Sequence, residues 1–209
     1  MTHESVGGPA RLSGARAALV TSAITFVVLT VVAATGAAAS LDRRLTVWIF
    51  GWPAAWRGTM RAVWRLATRR VALVWIALAL VVWRRPQPAV AMTAAGLAAW
   101  GLALVTKEVV GRARPTEELL GAPARDPLLG HGYPSAHAAL AAALLVPVMA
   151  VAPRWCRPIL AAAIVLVAVS RVYSGAQFAL DSLGGLALGI MCGSAALVVF
   201  SHFRPRIHT

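Results

Sequence analysis

Six long apolar runs dominate this 209-residue chain, at about 17–38, 70–84, 88–106, 136–153, 158–176 and 181–201. A helix needs roughly 20 mainly apolar residues to cross the hydrocarbon core of a bilayer, with a range of about 17–25. In lipid every backbone N–H and C=O must be bonded within the segment, which leaves helices or closed barrels. Runs of this length predict an all-α integral membrane bundle of about six transmembrane helices. The second run is short and needs its flanking Trp and Arg side chains to reach the interface. Hydrophobic residues make up 59% of the chain and charged ones 13%, where a soluble domain carries about 25% charge. Residues 17–203 therefore read as one six-span membrane domain. The polar, Gly- and Pro-containing stretch 1–16 reads as a disordered cytoplasmic tail. Arg11 and Arg16 precede the first run, but that run exceeds the apolar core of a cleavable signal peptide and reads as a retained span.

The formal net charge is +13. The cations lie at span ends rather than in one polar domain, which points to anionic lipid headgroups and phosphate rather than nucleic acid. Short Arg-rich turns are normally cytoplasmic. The turns at Arg84-Arg85 and Arg154–Arg157 fall on the side of both termini, so the loops between spans three and four and between five and six face outward. High Ala and Arg content suggests a bacterial genome, hence a multi-pass protein of the bacterial cell (inner) membrane with cytoplasmic termini. The first outer loop, also Arg-rich, has its own pattern over about 41–69. Trp48, Trp52, Trp56, Met60 and Trp64 recur every fourth residue beside Arg57, Arg61, Arg65 and Arg69. Such spacing predicts an amphipathic helix from Pro53 to about 69, lying in the interface or packed on the bundle. Cys156 and Cys192 fall in different layers, which argues against a disulfide, and neither has the neighbours of a metal site.

Three short stretches at span edges carry most of the ionisable chemistry. They are Lys107-Glu-Val-Val-Gly-Arg112-Ala-Arg114-Pro115, Tyr133-Pro134-Ser135-Ala136-His137, and Ser170-Arg171 followed by Gln177 and Asp181. Parity places all three on one face. Of 20 basic residues only Lys107 is a lysine, so this position calls for a compact ammonium on a flexible stem. Three cations and a hydroxyl at a membrane surface suit a tetrahedral phosphate ester.

These stretches resemble the signature of the type-2 phosphatidic acid phosphatase family, related to vanadium haloperoxidases. That signature runs Lys-x6-Arg-Pro, Pro-Ser-Gly-His, then Ser-Arg-x5-His-x3-Asp. Lys107, Arg114, Pro115, Pro134, Ser135, His137, Ser170, Arg171 and Asp181 match it, with Ala136 in place of Gly and Gln177 in place of His. The resemblance implies that Lys107, Arg114, Ser135 and Arg171 bind phosphoryl oxygens and that His137 protonates the leaving group. It implies that Asp181 orients the nucleophile, and that neither a metal nor a cofactor is needed. Lipid phosphates are the implied substrates or ligands: polyprenyl (undecaprenyl) diphosphate, phosphatidic acid or phosphatidylglycerol phosphate.

Position 177 is where the family's nucleophilic histidine stands. An amide nitrogen is not a nucleophile, and losing a nucleophile costs on the order of a million-fold in hydrolytic enzymes, while binding survives. Four readings stay open: a relative that binds lipid phosphate without cleaving it; a water positioned by Gln177 and Asp181; His131 as a replacement nucleophile; or a nucleophile-to-Gln variant that traps substrate. Glu108, Glu117, Glu118 and Asp126 are expected to pair with Arg112 and Arg125. A channel or transporter fits less well, because the spans lack the buried charges of a proton relay. Neither the oligomeric state nor the particular lipid follows from the sequence.

Overall fold

The computed structural model describes residues 9–66, 68–83 and 86–201, and every regular element among them is helical. Helix α1 (Pro9–Thr35) opens on a proline, whose missing N–H costs nothing in a first turn, and closes at Gly36 with φ +72°. It starts inside the stretch expected to be a disordered tail, because Leu12 onward is already apolar enough to continue the span. Residues 1–8 lie outside the described residues.

The first outer loop holds two helices rather than one. Helix α2 (Ala39–Phe50) was not expected and buries Asp42, Thr46 and Phe50, spaced four apart on one face. Its outward side mixes apolar Leu41 and Trp48 with Arg43 and Arg44, while polar Asp42 and Thr46 turn inward. After Pro53 come a 3-10 turn (Ala54–Trp56) and α3 (Arg57–Leu66). The tryptophan stripe divides here. Trp48 and Trp56 are 64% and 50% exposed, while Met60 is buried and Trp64 half-buried. Met60 and Trp64 thus pack on the bundle, as one of the two readings of the amphipathic segment expects.

Helices α4 (Arg69–Trp83), α5 (Pro86–Val110), α7 (Ala136–Val151), α8 (Cys156–Tyr173) and α9 (Ala179–Ser201) stand at the five remaining predicted runs, with a four-residue α6 (Glu117–Leu120) between α5 and α7. Among the described residues four helices are long and apolar enough to cross a bilayer: Leu12–Thr35, Ala89–Val110, Cys156–Tyr173 and Ala179–Phe200. Helix α7 has 16 residues, about 24 Å at 1.5 Å per residue. It begins directly after the loop that carries Ser135, so His137 stands in its first turn.

Small residues make the core. Ala91, Ala95, Ala99 and Ala103 line one face of α5, meeting Ala139 and Ala143 of α7 and Leu188, Cys192 and Ala196 of α9. In a membrane, side chains this small let backbones approach closely, and packing replaces the hydrophobic drive. The result fixes the ends of α5, α7, α8 and α9 against one another. Lys107 near the end of α5, His137 at the start of α7, Arg171 near the end of α8 and Asp181 at the start of α9 thereby meet at one end of the bundle.

Candidate anion-binding site

Helix α5 stops at Gly111, whose φ of +61° turns the chain while its N–H reaches the Lys107 carbonyl at 2.9 Å. The loop that follows folds back so that its carbonyls point at the cations. The Lys107 ammonium donates to the His131 and Gly132 carbonyls at 3.0 and 2.6 Å. Arg114 donates to the carbonyls of Gly130 at 3.0 Å, His131 at 2.9 Å and Ala176 at 2.6 Å. Backbone dipoles, not carboxylates, therefore hold these two cations. Burial and the neighbouring Arg171 charge both lower the Arg114 pKa from its ordinary value.

Arg171 is 0% exposed. Its Nη1 bonds the Asp126 carboxylate at 2.8 Å, and its guanidinium carbon lies 4.9 Å from the centre of the Trp64 ring. Its Nε and Nη2 are buried without a hydrogen-bond partner among the described residues, as is Ser135 Oγ. His137 meets the same Trp64 ring edge-on, with centroids 6.1 Å apart. Ser135 occupies the cap position of α7, so the first amides of that helix add a partial positive charge beside it. Buried polar atoms almost always find partners, so unpaired Arg donors and a serine hydroxyl in a cationic cluster fit an anion.

Gln177 lies in the turn between α8 and α9, 3% exposed. Its Nε2 donates to the Ala176 carbonyl at 2.9 Å, the same oxygen that takes Arg114. Its Oε1 has no partner among the described residues. Asp181, also 0% exposed, accepts from the Phe178 amide at 3.0 Å and from Arg112 Nη1 at 2.6 Å. The Ser135 amide donates to its backbone carbonyl at 2.8 Å, which ties the second motif to the third.

Several partners differ from expectation. Arg112 bridges Asp181 and Asp42 rather than pairing with loop glutamates. Burial opposes its charge, but Asp181 and Asp42 outweigh that and raise its pKa above the ordinary value. Asp42 also accepts from the Leu180 amide at 2.7 Å, and Thr46 from the Ala179 amide at 3.0 Å. Helix α2 thus caps α9, a role its sequence concealed because Asp42 sits beside two arginines and reads as a surface residue. Asp126 pairs with Arg171, not with Arg112 or Arg125. Arg125 instead donates to the Tyr173 carbonyl and lies 4.1 and 4.2 Å from the ring centres of Phe50 and Tyr173. His131 presents its carbonyl to the cations, while its Nδ1 faces the exposed Glu108 at 3.7 Å.

The described residues form an all-helical membrane bundle with a buried cationic cluster at one end. The model of the PAP2 superfamily matches residues 87–205, and the chain belongs to that superfamily. Two solved structures share the fold. A PAP2-type phosphatidylglycerolphosphate phosphatase from Bacillus subtilis is 21% identical over 91% of this chain and 98% of its own, with a TM-score of 0.75. LpxE from Aquifex aeolicus is 21% identical over 74% of this chain and 93% of its own, with a TM-score of 0.68. Among curated proteins none matches the sequence.

Proposed function

We propose that this protein is a membrane lipid phosphate phosphatase of PAP2 type, with its site on the extracytoplasmic face. Arg171 carries the reading: a fully buried guanidinium that keeps two donors unpaired among the described residues and lies on the Trp64 ring that His137 also meets. Lys107, Arg114 and Arg171 neutralise the phosphoryl oxygens, Ser135 and the α7 amides add donors, and His137 protonates the leaving oxygen. Asp181 organises the start of α9. The ligand class is a phosphorylated lipid, as the name of the B. subtilis relative also suggests. An apolar groove of about 310 Å³ between α4, α5 and α7 offers hydrocarbon surface, and its walls include Leu140 and Leu144, further along the helix that carries His137. Gln177 favours a second reading in which the lipid phosphate is held and not cleaved, because no histidine stands at the nucleophile position.

Vanadate or inorganic phosphate binding to the purified protein tests the site in either case. Arg171→Ala removes a charge-assisted contact and is expected to weaken binding by about 1.5–3 kcal/mol. Unchanged affinity in a variant with native helicity and native elution would mean that the phosphate sits elsewhere. Orientation has its own check. An impermeant thiol reagent added to intact cells is expected to label Ala122→Cys in the motif loop and to leave the native Cys156, in the opposite turn, unlabelled. The reverse pattern would invert the topology.

A further inference from the structure

We propose that Gln177 orients the attacking water, so that this site hydrolyses its phosphate ester by direct displacement and forms no phosphoenzyme. The proposal rests on the phosphatase reading above and adds a mechanism to it. Gln177 is buried in the turn between Arg171 and Asp181. Two donors converge on the Ala176 carbonyl, Gln177 Nε2 at 2.9 Å and Arg114 Nη1 at 2.6 Å. That carbonyl fixes which end of the amide faces it, because a flipped amide would set oxygen against oxygen. Oε1 is therefore the atom left over, buried and without a partner among the described residues. An acceptor oxygen inside a cationic cluster cannot bond a bare phosphoryl oxygen. It needs an O–H between them, and a water supplies one, donating a hydrogen to Oε1 while a lone pair faces phosphorus. A glutamine that positions water in this way is an established solution for phosphoryl transfer.

Asp181 already accepts from the Phe178 amide and Arg112 and is given no role as a base. None is required, because in a loose phosphoryl transition state the nucleophile gives up its proton late. The water oxygen bonds phosphorus as the bond from phosphorus to the ester oxygen breaks. Protonated His137 gives its proton to the departing alkoxide. Both water hydrogens leave on the product phosphate, and one then returns to His137, so ester and water become alcohol and hydrogen phosphate.

The test uses the full-length protein with dioctanoyl phosphatidic acid. In 18O-labelled water one labelled oxygen is expected in the released phosphate, which establishes cleavage at the phosphorus–oxygen bond, and trapping separates direct displacement from a phosphoenzyme. Added methanol is expected to capture no phosphoryl group, and no acid-labile, base-stable 32P label to appear on the protein. Gln177→Met keeps the length of the side chain without the acceptor. It is expected to lower kcat about 100-fold, within the range for a positioned polar group, while phosphate and vanadate affinity stay within about twofold. A trapped phosphoenzyme, methyl phosphate among the products, or a Gln177→Met enzyme as fast as the native one would each overturn the proposal. Phosphate binding with no turnover overturns it too and leaves the binding reading standing. Absence of both turnover and binding would instead remove the phosphate site itself. The labelling measurements need only the native protein, so they decide even if Gln177→Met does not fold.

Discussion

Gln177→His is expected to raise lipid phosphate turnover about 10³-fold or more and to make a phosphoenzyme trappable. The magnitude follows from what a nucleophile is worth in hydrolytic enzymes, on the order of a million-fold at most, discounted for a site that has settled around an amide. The surroundings favour the change. Side chain 177 lies in a turn fixed from both sides, by Arg114 on the Ala176 carbonyl and by Thr46 and Asp42 on the amides of Ala179 and Leu180. An imidazole placed there enters a prepared cationic cluster. Asp181 already bonds Arg112 and the Phe178 amide, yet a carboxylate has about four lone-pair positions and can accept one more N–H. A covalent route splits the reaction into two easier steps, so the label should be acid-labile and base-stable, as expected for phosphohistidine. A folded Gln177→His protein with native rates and no label would show that position 177 does not face phosphorus. Gln177→His and Gln177→Met are expected to move in opposite directions, which general damage to the fold cannot reproduce.

The spans and the cationic cluster were legible because both are local signals. Apolar length alone marked the helices, and fixed spacing marked Lys107, Arg114, Ser135, His137 and Arg171. The partners of those residues were not legible, because each lies far away in sequence. Arg112 meets Asp42 from 70 residues upstream and Asp181 from 69 downstream. Trp64 belongs to a stripe that reads as interfacial, yet it stands between His137 and Arg171. Asp42 offered one usable signal: it is among only seven acidic residues in a chain of net charge +13, and it falls four residues before Thr46. Helical spacing alone could have put the two on one face. What spacing could not supply was the direction of that face, because the charged Arg43 and Arg44 and the apolar Leu41 and Trp48 are all exposed on the rest of the helix.

Gly189→Leu is expected to prevent stable folding, and the reason lies in how α7 and α9 meet. Gly185, Gly189 and Gly193 repeat every fourth residue along one face of α9. A Cβ added at these positions would come 2.4 Å from the Ser135 carbonyl oxygen, 2.3 Å from the Ala139 carbonyl oxygen and 2.8 Å from Val146 Cβ. At the first two the obstacle is helix backbone, which cannot rotate aside as a side chain would, so the helices themselves must separate. Overpacking commonly costs about 1–3 kcal/mol and sometimes more, and a whole leucine against a rigid carbonyl belongs beyond that range. Separation also undoes the site, because α7 carries His137 and its cap Ser135, while α9 carries Asp181. Gly101 supplies the control. It lies within α5, and a Cβ there meets nothing within 4 Å. Gly101→Ala should leave stability unchanged or improve it by about 0.5–1 kcal/mol, the ordinary gain of Ala over Gly inside a helix. Thermal unfolding in detergent, followed by gel filtration, reads both variants. Gly189→Leu should elute as aggregate or melt far below the native protein, with phosphate binding lost in parallel. If Gly189→Leu melts with Gly101→Ala and still binds phosphate, α7 and α9 do not pack through these glycines, and the close approach of their backbones is not what holds the cationic site together.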